Sequence, residues 1–316
     1  MERSARTRHA ALGSVLAVVL ATLLSGCSDD SGTSPEESAT LSTGPGPVLA
    51  VKIDNAPQAR PQTGLNAADV VYAEQVEAGL SRLMALYATR LPDTVGPVRS
   101  ARESDLELLA QFPNPTLVFS GAQSKLLPLI EAAPLRPVTP GSAPAGAFVR
   151  EPERTAPYNL YVRPQRVQDD TAGAKALERA GFRTGPPPDG GEPVAERTVR
   201  FPSARFTFTW SSEQDRWQIA MDGRRAAEPD GKALTAATVV VQRVEIKESQ
   251  FQDFMGNNSP LTVTIGSGSA EVLRDGRAYA GEWKRASARG GTTFTTPDGD
   301  ALNVANGPVW VMLVAR

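Results

Sequence analysis

Polar side chains follow the first apolar run of the sequence at short intervals. The run Val48 to Ile53 has the composition of a buried strand. The polar side chains directly after it are Asp54, Asn55, Arg60 and Gln62. This set could bind a sugar hydroxyl, a cation or a peptide amine, and Asp54 could act as a general base. Asp54 and Asn55 could instead simply close the loop through Asx-turn hydrogen bonds, so both interpretations stay open.

A predicted hairpin carries two more carboxylates. Residues 69–90 have the pattern of two strands joined by a tight turn, with Glu74 and Glu77 before the turn and Arg82 after it. An ion pair between Glu77 and Arg82 across the strands is the simpler interpretation. If Glu74 or Glu77 faced Asp54, a separation of about 5 Å or about 6.5 to 9.5 Å would match a retaining or an inverting glycoside hydrolase. The catalytic candidates, if any, are therefore Asp54, Glu74 and Glu77.

Two arginines flank the predicted start of a helix. Ser100 is the predicted N-cap, and Glu103 follows at the spacing of a capping box. Arg99 and Arg102 could act with the helix dipole to bind an anion such as a phosphate, a wall-peptide carboxylate or a uronic acid. They could equally form salt bridges with neighbouring acids such as Glu103 and Asp105.

A second polar turn follows another short apolar run. Residues 116–120 read as a buried strand, and the turn after it leads to Gln123. In open α/β sheets, ligands bind beyond the carboxyl ends of parallel strands, where helix N-termini also point. We therefore expect the loop at Asp54 and the turn at Gln123 to line one crevice.

The composition excludes several classes of chemistry. Histidine and cysteine occur once each, at His9 and Cys27. Residues 28–316 therefore contain no Ser-His-Asp or Cys-His catalysis, no disulfide and no Cys/His zinc site. We predict no cofactor and no metal site, and any metal would have to be a hard ion bound by oxygen atoms. Arginines are scattered among acids without a basic stripe, which argues against nucleic acid as a partner.

The first 26 residues have the pattern of a secretory signal. Three arginines precede an apolar run of about fifteen residues, which is too short to span a bilayer. The run closes on Leu24-Ser25-Gly26-Cys27, which resembles the bacterial lipobox, whose cysteine is lipidated. We expect a protein exported and lipid-anchored through Cys27 to the outer face of the cytoplasmic membrane. An ordinary signal peptide with a chance cysteine is the alternative.

The remaining sequence divides by composition. Residues 27–46 are rich in Ser, Thr, Gly, Pro and acid and predict a disordered tether, with a reach on the order of 25 Å. Residues 47–183 mix helix and strand signals, residues 184–196 form a Pro/Gly linker, and residues 197–316 alternate tightly. This predicts an α/β or α+β N-terminal domain with a mixed sheet, followed by a mainly antiparallel β C-terminal domain.

Helices are predicted at three places in the first half. One begins at the N-cap Ser100, and a second covers residues 123–133 with a possible kink at Pro128. The third covers residues 171–180 and ends at Gly181. All four tryptophans fall in the second half, where core packing is the favoured interpretation over a sugar-binding platform.

Several long motifs carry a family resemblance. They are "KIDNAPQARPQTGLNAADVVYAEQVEAGLSRLMALY", "GPVRSAR", "RTAPYNLYV", "GEWKR" and "NGPVWVML". From Pro47 to the end, the chain resembles the YerB-like bacterial lipoproteins, a family of two adjoining domains of unknown function called DUF3048. The resemblance implies the two-domain architecture and the exported address, and it adds Asn159 to the candidate residues. Tyr158 stands where the family pattern has histidine, and a phenol is a poor proton-transfer group near neutral pH.

These observations favour binding over catalysis. We expect an extracytoplasmic lipoprotein that binds a polar or anionic ligand of the cell envelope, or assists envelope assembly. The expected partners are the lipid bilayer through Cys27 and a cell-wall glycan or peptide, or an envelope protein. The alternatives are a carboxylate-dependent hydrolase of a cell-wall glycan and a protein-protein interaction partner acting through residues 197–316. The candidate ligand-binding residues are Asp54, Asn55, Arg60, Gln62, Arg82, Arg99, Ser100, Arg102, Gln123 and Asn159.

Overall fold

A computed structural model describes residues 46–169, 171–253 and 256–316. The predicted signal, the lipidation site Cys27 and nearly all of the tether lie outside these residues. The described residues all belong to one compact unit. None of the helices formed by the described residues has the length and hydropathy needed to cross a membrane.

The first half contains short helices and strands in alternation. Its strands are β1 (Leu49–Asp54), β2 (Val70–Gln75), β3 (Ser81–Tyr87), β4 (Thr116–Val118), β5 (Arg136–Val138), β6 (Phe148–Arg150) and β7 (Leu160–Val162). Its helices are α1 (Glu103–Leu109), α2 (Leu127–Ala132) and α3 (Ala174–Ala180). Single 3-10 turns lie at Pro57–Ala59, Leu65–Ala67, Glu77–Gly79 and Pro164–Arg166.

The described part of the second half is built from strands. They are β8 (Glu192–Pro193), β9 (Glu196–Phe201), β10 (Ala204–Ser211), β11 (Arg216–Met221), β12 (Arg224–Arg225), β13 (Thr235–Ala236), β14 (Thr238–Gln252), β15 (Asn258–Val263), β16 (Gly266–Arg274), β17 (Arg277–Arg285), β18 (Thr293–Thr295) and β19 (Val309–Ala315). The predicted alternation of residue types accounts for their inward and outward faces.

One mixed sheet of twelve strands runs through both halves. Its main path is β18-β17-β16-β14-β19-β2-β3-β1-β4-β5, with β15 beside β14 and β8 beside β17. The pairs β1/β4, β4/β5, β14/β19 and β19/β2 are parallel, and the other pairs are antiparallel. A smaller sheet holds β12-β11-β10-β9 with β13 beside β11, and β6 pairs with β7. The fold class predicted from the sequence is confirmed.

The large sheet is covered on both faces. One face packs against the small sheet through a core that includes Phe206, Trp217 and Trp310. The other face packs against the helices through a core that includes Leu108, Ile130 and Leu177. Three of the four tryptophans, Trp217, Trp283 and Trp310, are at most 1% exposed, so they are core residues as predicted.

The helix boundaries differ from all three predictions, although α3 ends at Gly181 as predicted and differs only in beginning at Ala174 rather than at residue 171. Helix α1 begins at Glu103 with Arg102 as its N-cap, so Ser100 is not the cap. The carboxylate that caps the first turn belongs to Asp105, whose Oδ2 accepts the backbone N–H of Arg102 at 2.7 Å. Helix α2 has only six residues, and Pro128 lies in its first turn, where its missing N–H costs nothing, rather than at a kink.

Strand β19 joins the two halves that the sequence separates. It lies between β14 of the second half and β2 of the first half, and it is parallel to both. The run 184–196 contributes β8, which pairs with β17, one isolated bridge and the first residue of β9. The two halves share one sheet, so the structure does not separate them at this run. The division into two domains there stays a prediction.

Candidate functional site

A row of charged side chains crosses three neighbouring strands at one end. In the order β2-β3-β1, Glu74 lies opposite Arg82, and Arg82 lies opposite Asp54. Directly paired residues project to the same face of a sheet. One row further in, Tyr72 and Met84 are buried on the same face together with Lys52, which lies opposite Met84. The alternation of the strands therefore places these charges at the edge of the apolar core.

The ends of β1 and β4 lie side by side. These strands are parallel neighbours, with Val51 opposite Val118. The chain segment that contains Arg99 lies between their ends, because the N–H of Arg99 donates to Lys52 O at 2.8 Å and the N–H of Ser120 donates to Arg99 O at 3.0 Å. The loops after the two short apolar strands thus meet on one side of the sheet.

A cavity of about 760 Å³ opens beside these strand ends. Its polar lining includes Glu77, Arg82, Arg99, Ser100, Arg102, Glu103, Gln123, Ser124, Gln252, Asp253, Asn257 and Ser259. Its apolar lining includes Val76, Leu80, Ala122, Leu126, Pro157 and Phe251. Both halves of the chain contribute walls. We call this space the arginine cavity, after Arg82, Arg99 and Arg102.

Arg102 and Glu77 form a forked ion pair in the wall of the arginine cavity. Arg102 donates from Nε to Glu77 Oε1 at 2.5 Å and from Nη2 to Oε2 at 2.8 Å, and the hydroxyl of Ser259 also donates to Glu77. Burial alone would raise the pKa of Glu77, but the bonds from Arg102 and Ser259 outweigh it and lower the pKa to about 2. Glu77 is therefore an ionised structural carboxylate near neutral pH.

The pKa of Glu77 predicts a pH dependence of stability. In the unfolded chain the carboxylate takes up its proton near pH 4.5, whereas in the folded chain it does so near pH 2. Its contribution to the free energy of unfolding is thus complete above about pH 4.5 and is lost as the pH falls toward 2. Urea unfolding should show that Glu77→Gln is less stable than wild type at neutral pH, with a difference that shrinks below pH 4. Glu213→Gln, which removes an exposed carboxylate, should show no such trend.

Glu74 does not reach the arginine cavity. It is 2% exposed and pairs with the ammonium of Lys52, which also donates to Asp105 Oδ1 at 2.6 Å. Burial lowers the pKa of Lys52 to about 8, although Asp105 raises it. Lys52 and Asp105 were not among the predicted site residues. The sequence signal that could have indicated this buried ion pair is the position of Lys52 within an apolar strand.

Arg82 is the least compensated cation of the site. Its side chain is 7% exposed, and Nε has no hydrogen-bond partner. Within the described part of the chain, its hydrogen bonding is limited to a 3.4 Å contact from Nη1 to the carbonyl of Ser100. Burial lowers the pKa of Arg82 to about 10, and the neighbouring Arg102 acts in the same direction. The guanidinium is desolvated and lines the cavity without a carboxylate bound to it.

Arg99 also lines the cavity, and its guanidinium is paired with the carboxylate of Asp54. The two groups form an ion pair with 2.9 Å between Nε and Oδ2, and Asp54 Oδ1 accepts the N–H of Ala56. Asp54 is 4% exposed, whereas the side chain of Arg99 is 27% exposed. The structure therefore places the charge of Arg99 at the cavity surface and uses Asp54 to hold it there.

The remaining predicted residues divide into two groups. Ser100 and Gln123 line the arginine cavity. Asn55, Gln62 and Arg60 bond to one another instead: Gln62 Nε2 and Arg60 Nε donate to Asn55 Oδ1 at 2.7 and 3.2 Å, and Asn55 Nδ2 donates to Ser81 Oγ at 2.8 Å. These bonds fix the loop after β1.

Asn159 also lies outside the cavity lining. Its Oδ1 accepts a hydrogen bond from Arg150 Nη1 at 2.7 Å, and its carbonyl accepts the N–H of Glu151. Pro157, two residues earlier, does line the cavity. In the segment that matches the family pattern, it is therefore Pro157 rather than Asn159 that contacts the cavity.

A second cavity of about 470 Å³ lies elsewhere, beside β2 and α3. Its arginines bond to backbone carbonyls, Arg90 to Asn66 and Arg216 to Asn306. Its carboxylate Asp69 accepts the hydroxyl and N–H of Thr89. Over residues 46–169, 171–253 and 256–316, no three acidic side chains cluster in a way that could hold a metal ion. The arginine cavity is therefore the better candidate for a ligand.

Comparisons with known proteins point to one family. The family described as "Protein of unknown function (DUF3048) N-terminal domain" matches residues 32–178, and its "C-terminal domain" matches residues 197–311. A protein named "Putative lipoprotein YerB" from Bacillus subtilis (strain 168) is 49% identical over 55 residues, a stretch that spans 17% of this chain and 17% of that relative.

The fold is also similar to a solved structure. The crystal structure of YerB protein from Bacillus subtilis superposes with a TM-score of 0.67 at 21% identity, over 85% of this chain and 91% of that chain. At this identity, the likeness concerns the fold alone.

Proposed function

Because the two matched domains cover most of the chain, the protein belongs to the DUF3048 family, and we propose that it is an exported lipoprotein that binds an anionic ligand of the cell envelope. The lipobox at residues 24–27 and the name of the Bacillus subtilis relative support a lipid anchor at Cys27. The anchor holds the protein at the outer face of the cytoplasmic membrane. The ligand occupies the arginine cavity, and no reaction is catalysed on it.

The state of Arg82 carries the proposal. A buried guanidinium without a bound carboxylate is costly, since the group has lost water and, among the residues that the structure describes, gained only one long hydrogen bond. A carboxylate or phosphate that enters the cavity would bond to its free N–H groups in the geometry that guanidinium prefers. Arg99 at the same wall supplies a second positive charge.

The shape of the cavity indicates the kind of molecule. A volume of about 760 Å³ is within the usual range for a site that encloses a small ligand. The apolar part of the lining includes Leu80, Leu126 and Phe251. An anionic group attached to a less polar body, such as the terminal carboxylate of a wall peptide, matches both parts of the lining.

The three carboxylates considered for hydrolysis are engaged in other contacts. Glu74 is buried in an ion pair with Lys52, and Arg102 keeps Glu77 ionised. Asp54 is paired with Arg99. A glycoside hydrolase needs one carboxylic acid that keeps its proton near neutral pH, and Glu77, with a lowered pKa, is the opposite of that. Binding is therefore the function that the geometry supports best.

Interaction with a partner protein through an apolar surface has less support. Among the residues that the structure describes, the large hydrophobic side chain that is exposed is Leu129, at 43%, and it lies in α2 rather than in residues 197–316. A docking surface of this kind is usually an extended apolar patch.

Calorimetry with the purified full chain tests the proposal. The probes are inorganic phosphate and a soluble muropeptide with free carboxylates. Arg82→Gln should weaken muropeptide binding about 10- to 100-fold, because a hydrogen bond to a charged group contributes about 1.5 to 3 kcal/mol. Its free energy of unfolding should be unchanged or higher, since a poorly compensated buried charge is removed.

Arg163→Gln is the matched control. Arg163 is exposed and lies outside the cavity lining, so its replacement changes the net charge equally but should leave binding within about twofold of wild type. If Arg82→Gln bound the muropeptide as tightly as wild type, the cavity would not be the site. Release of glycan fragments by wild type, lost in Asp54→Asn, would instead favour the hydrolase.

A further inference from the structure

The small sheet carries a cluster of arginines at one end of its strands. Arg200 of β9 lies directly opposite Arg205 of β10, next to the turn that joins these strands. Arg224 and Arg225 form β12, directly after the turn that ends β11. All four side chains are exposed. We call these four residues the arginine face.

The charges of the arginine face are not neutralised within the described part of the chain, where their guanidinium groups make no hydrogen bond or ion pair. The acid of the adjacent turn, Asp222, is already engaged. Its Oδ2 pairs with Arg60 at 2.8 Å, and its Oδ1 accepts the backbone N–H of Arg205 at 2.8 Å. Four cations therefore remain without a counter-charge.

This arrangement is unfavourable for the isolated fold. Like charges directly opposite each other on antiparallel strands repel, and Arg200 and Arg205 are such a pair. The far end of the same sheet carries both signs: Glu196, Glu213 and Asp215 lie there together with Arg197 and Arg216. The excess of positive charge on the small sheet is therefore found at the arginine face.

We propose that the arginine face docks onto anionic phospholipid at the surface of the bilayer. Arg200, Arg205 and Arg225 project to one face of the sheet, and Arg224 starts from the other face at its edge. An array of exposed cations at one end of a sheet is complementary to an extended negative surface, and arginines near an anionic bilayer are attracted within a Debye length. The predicted lipid anchor supports this occupant, because it would keep the folded part within reach of the bilayer surface. The site is separate from the arginine cavity and does not depend on its ligand.

Vesicle sedimentation of the full chain with Cys27→Ser, which removes the lipid attachment, tests the proposal. The vesicles are phosphatidylcholine with or without phosphatidylglycerol. The background protein should partition at least tenfold better onto the anionic vesicles at low salt, and added salt should abolish the difference. With all four arginines of the arginine face replaced by glutamine, the preference should be lost, while binding to neutral vesicles and to the muropeptide stays unchanged.

The matched control replaces four other exposed arginines by glutamine: Arg163, Arg166, Arg179 and Arg289. Its net charge equals that of the test variant, and its preference for anionic vesicles should stay within twofold of the background. An equal loss in both variants would show attraction by net charge alone and would overturn the proposal. The proposal would also be overturned if the fourfold variant of the arginine face kept its preference for anionic vesicles and lost binding only to a soluble glycerol-phosphate polymer. If the fourfold variant unfolds, Arg200→Gln/Arg205→Gln serves instead, with an expected loss of at least threefold.

Discussion

Replacement of Lys52 by methionine is expected to lower the free energy of unfolding by about 3 to 5 kcal/mol. Lys52 bonds to Glu74 and to Asp105, and all three side chains are buried between β1, β2 and α1. Methionine has a similar length but no charge, so two carboxylates would be left in the interior without a counter-charge. Urea unfolding followed by tryptophan fluorescence measures the change.

Two further variants separate charge from packing. Lys247→Met removes an ammonium that is 53% exposed and should change the free energy of unfolding by no more than about 0.5 kcal/mol. The triple variant Lys52→Met/Glu74→Gln/Asp105→Asn removes all three charges and should recover more than half of the loss. A triple variant as unstable as the single one would show that packing, not charge, is responsible.

Local patterns in the sequence predict much of the first half. The hairpin of β2 and β3 forms because two nearly continuously buried runs flank a turn at Ala78-Gly79, where the glycine adopts φ +70°. The strand β1, the strand β4 and the end of α3 at Gly181 follow from equally local signals. Each of these features depends on residues within a few positions of one another, which is why the sequence shows them.

The composition of the cavity could be predicted only in part. Seven of the candidate residues line the cavity or hold its wall, because β1 and β4 are adjacent parallel strands as expected. The sequence could not show that Glu74 is turned toward Lys52 and away from the cavity, since that depends on which strand lies between them. Strand β3 lies between β1 and β2, and the long side chain of Lys52 reaches across to Glu74.

The loop after β1 shows a different limit. Asn55, Arg60 and Gln62 have the residue types of a binding site, but their hydrogen bonds close on one another. A buried loop must satisfy its own polar groups, and amides are the usual means. The same residue types would occur in a loop that binds a ligand and in a loop that satisfies its own hydrogen bonds. Only the three-dimensional path of the loop distinguishes a ligand site from an internal brace.

The C-terminal strand was the main long-range feature that local patterns could not place. The run Val309 to Ala315 reads as a strand of the second half, but it pairs with β2 of the first half as well as with β14. The strands that position the arginine cavity thus belong to a sheet that both halves complete. We therefore expect contacts between the two halves outside this sheet to contribute to the free energy of unfolding as well.

Replacement of Gly181 by alanine tests such a contact and is expected to cost at least about 3 kcal/mol. Gly181 ends α3 with φ +111°, and an added Cβ would lie 1.8 Å from the carbonyl oxygen of Thr292 in the second half. That backbone cannot move freely, because Thr292 donates its N–H to Ala180. Gly190→Ala is the control: Gly190 has φ +84° with no atom within 4 Å of the added Cβ, so its cost is the backbone strain of about 1 to 2 kcal/mol. Equal losses in the two variants, measured by urea unfolding, would show that α3 and residue 292 are not held together, whereas the larger loss at Gly181 would show that this contact between the halves contributes to stability.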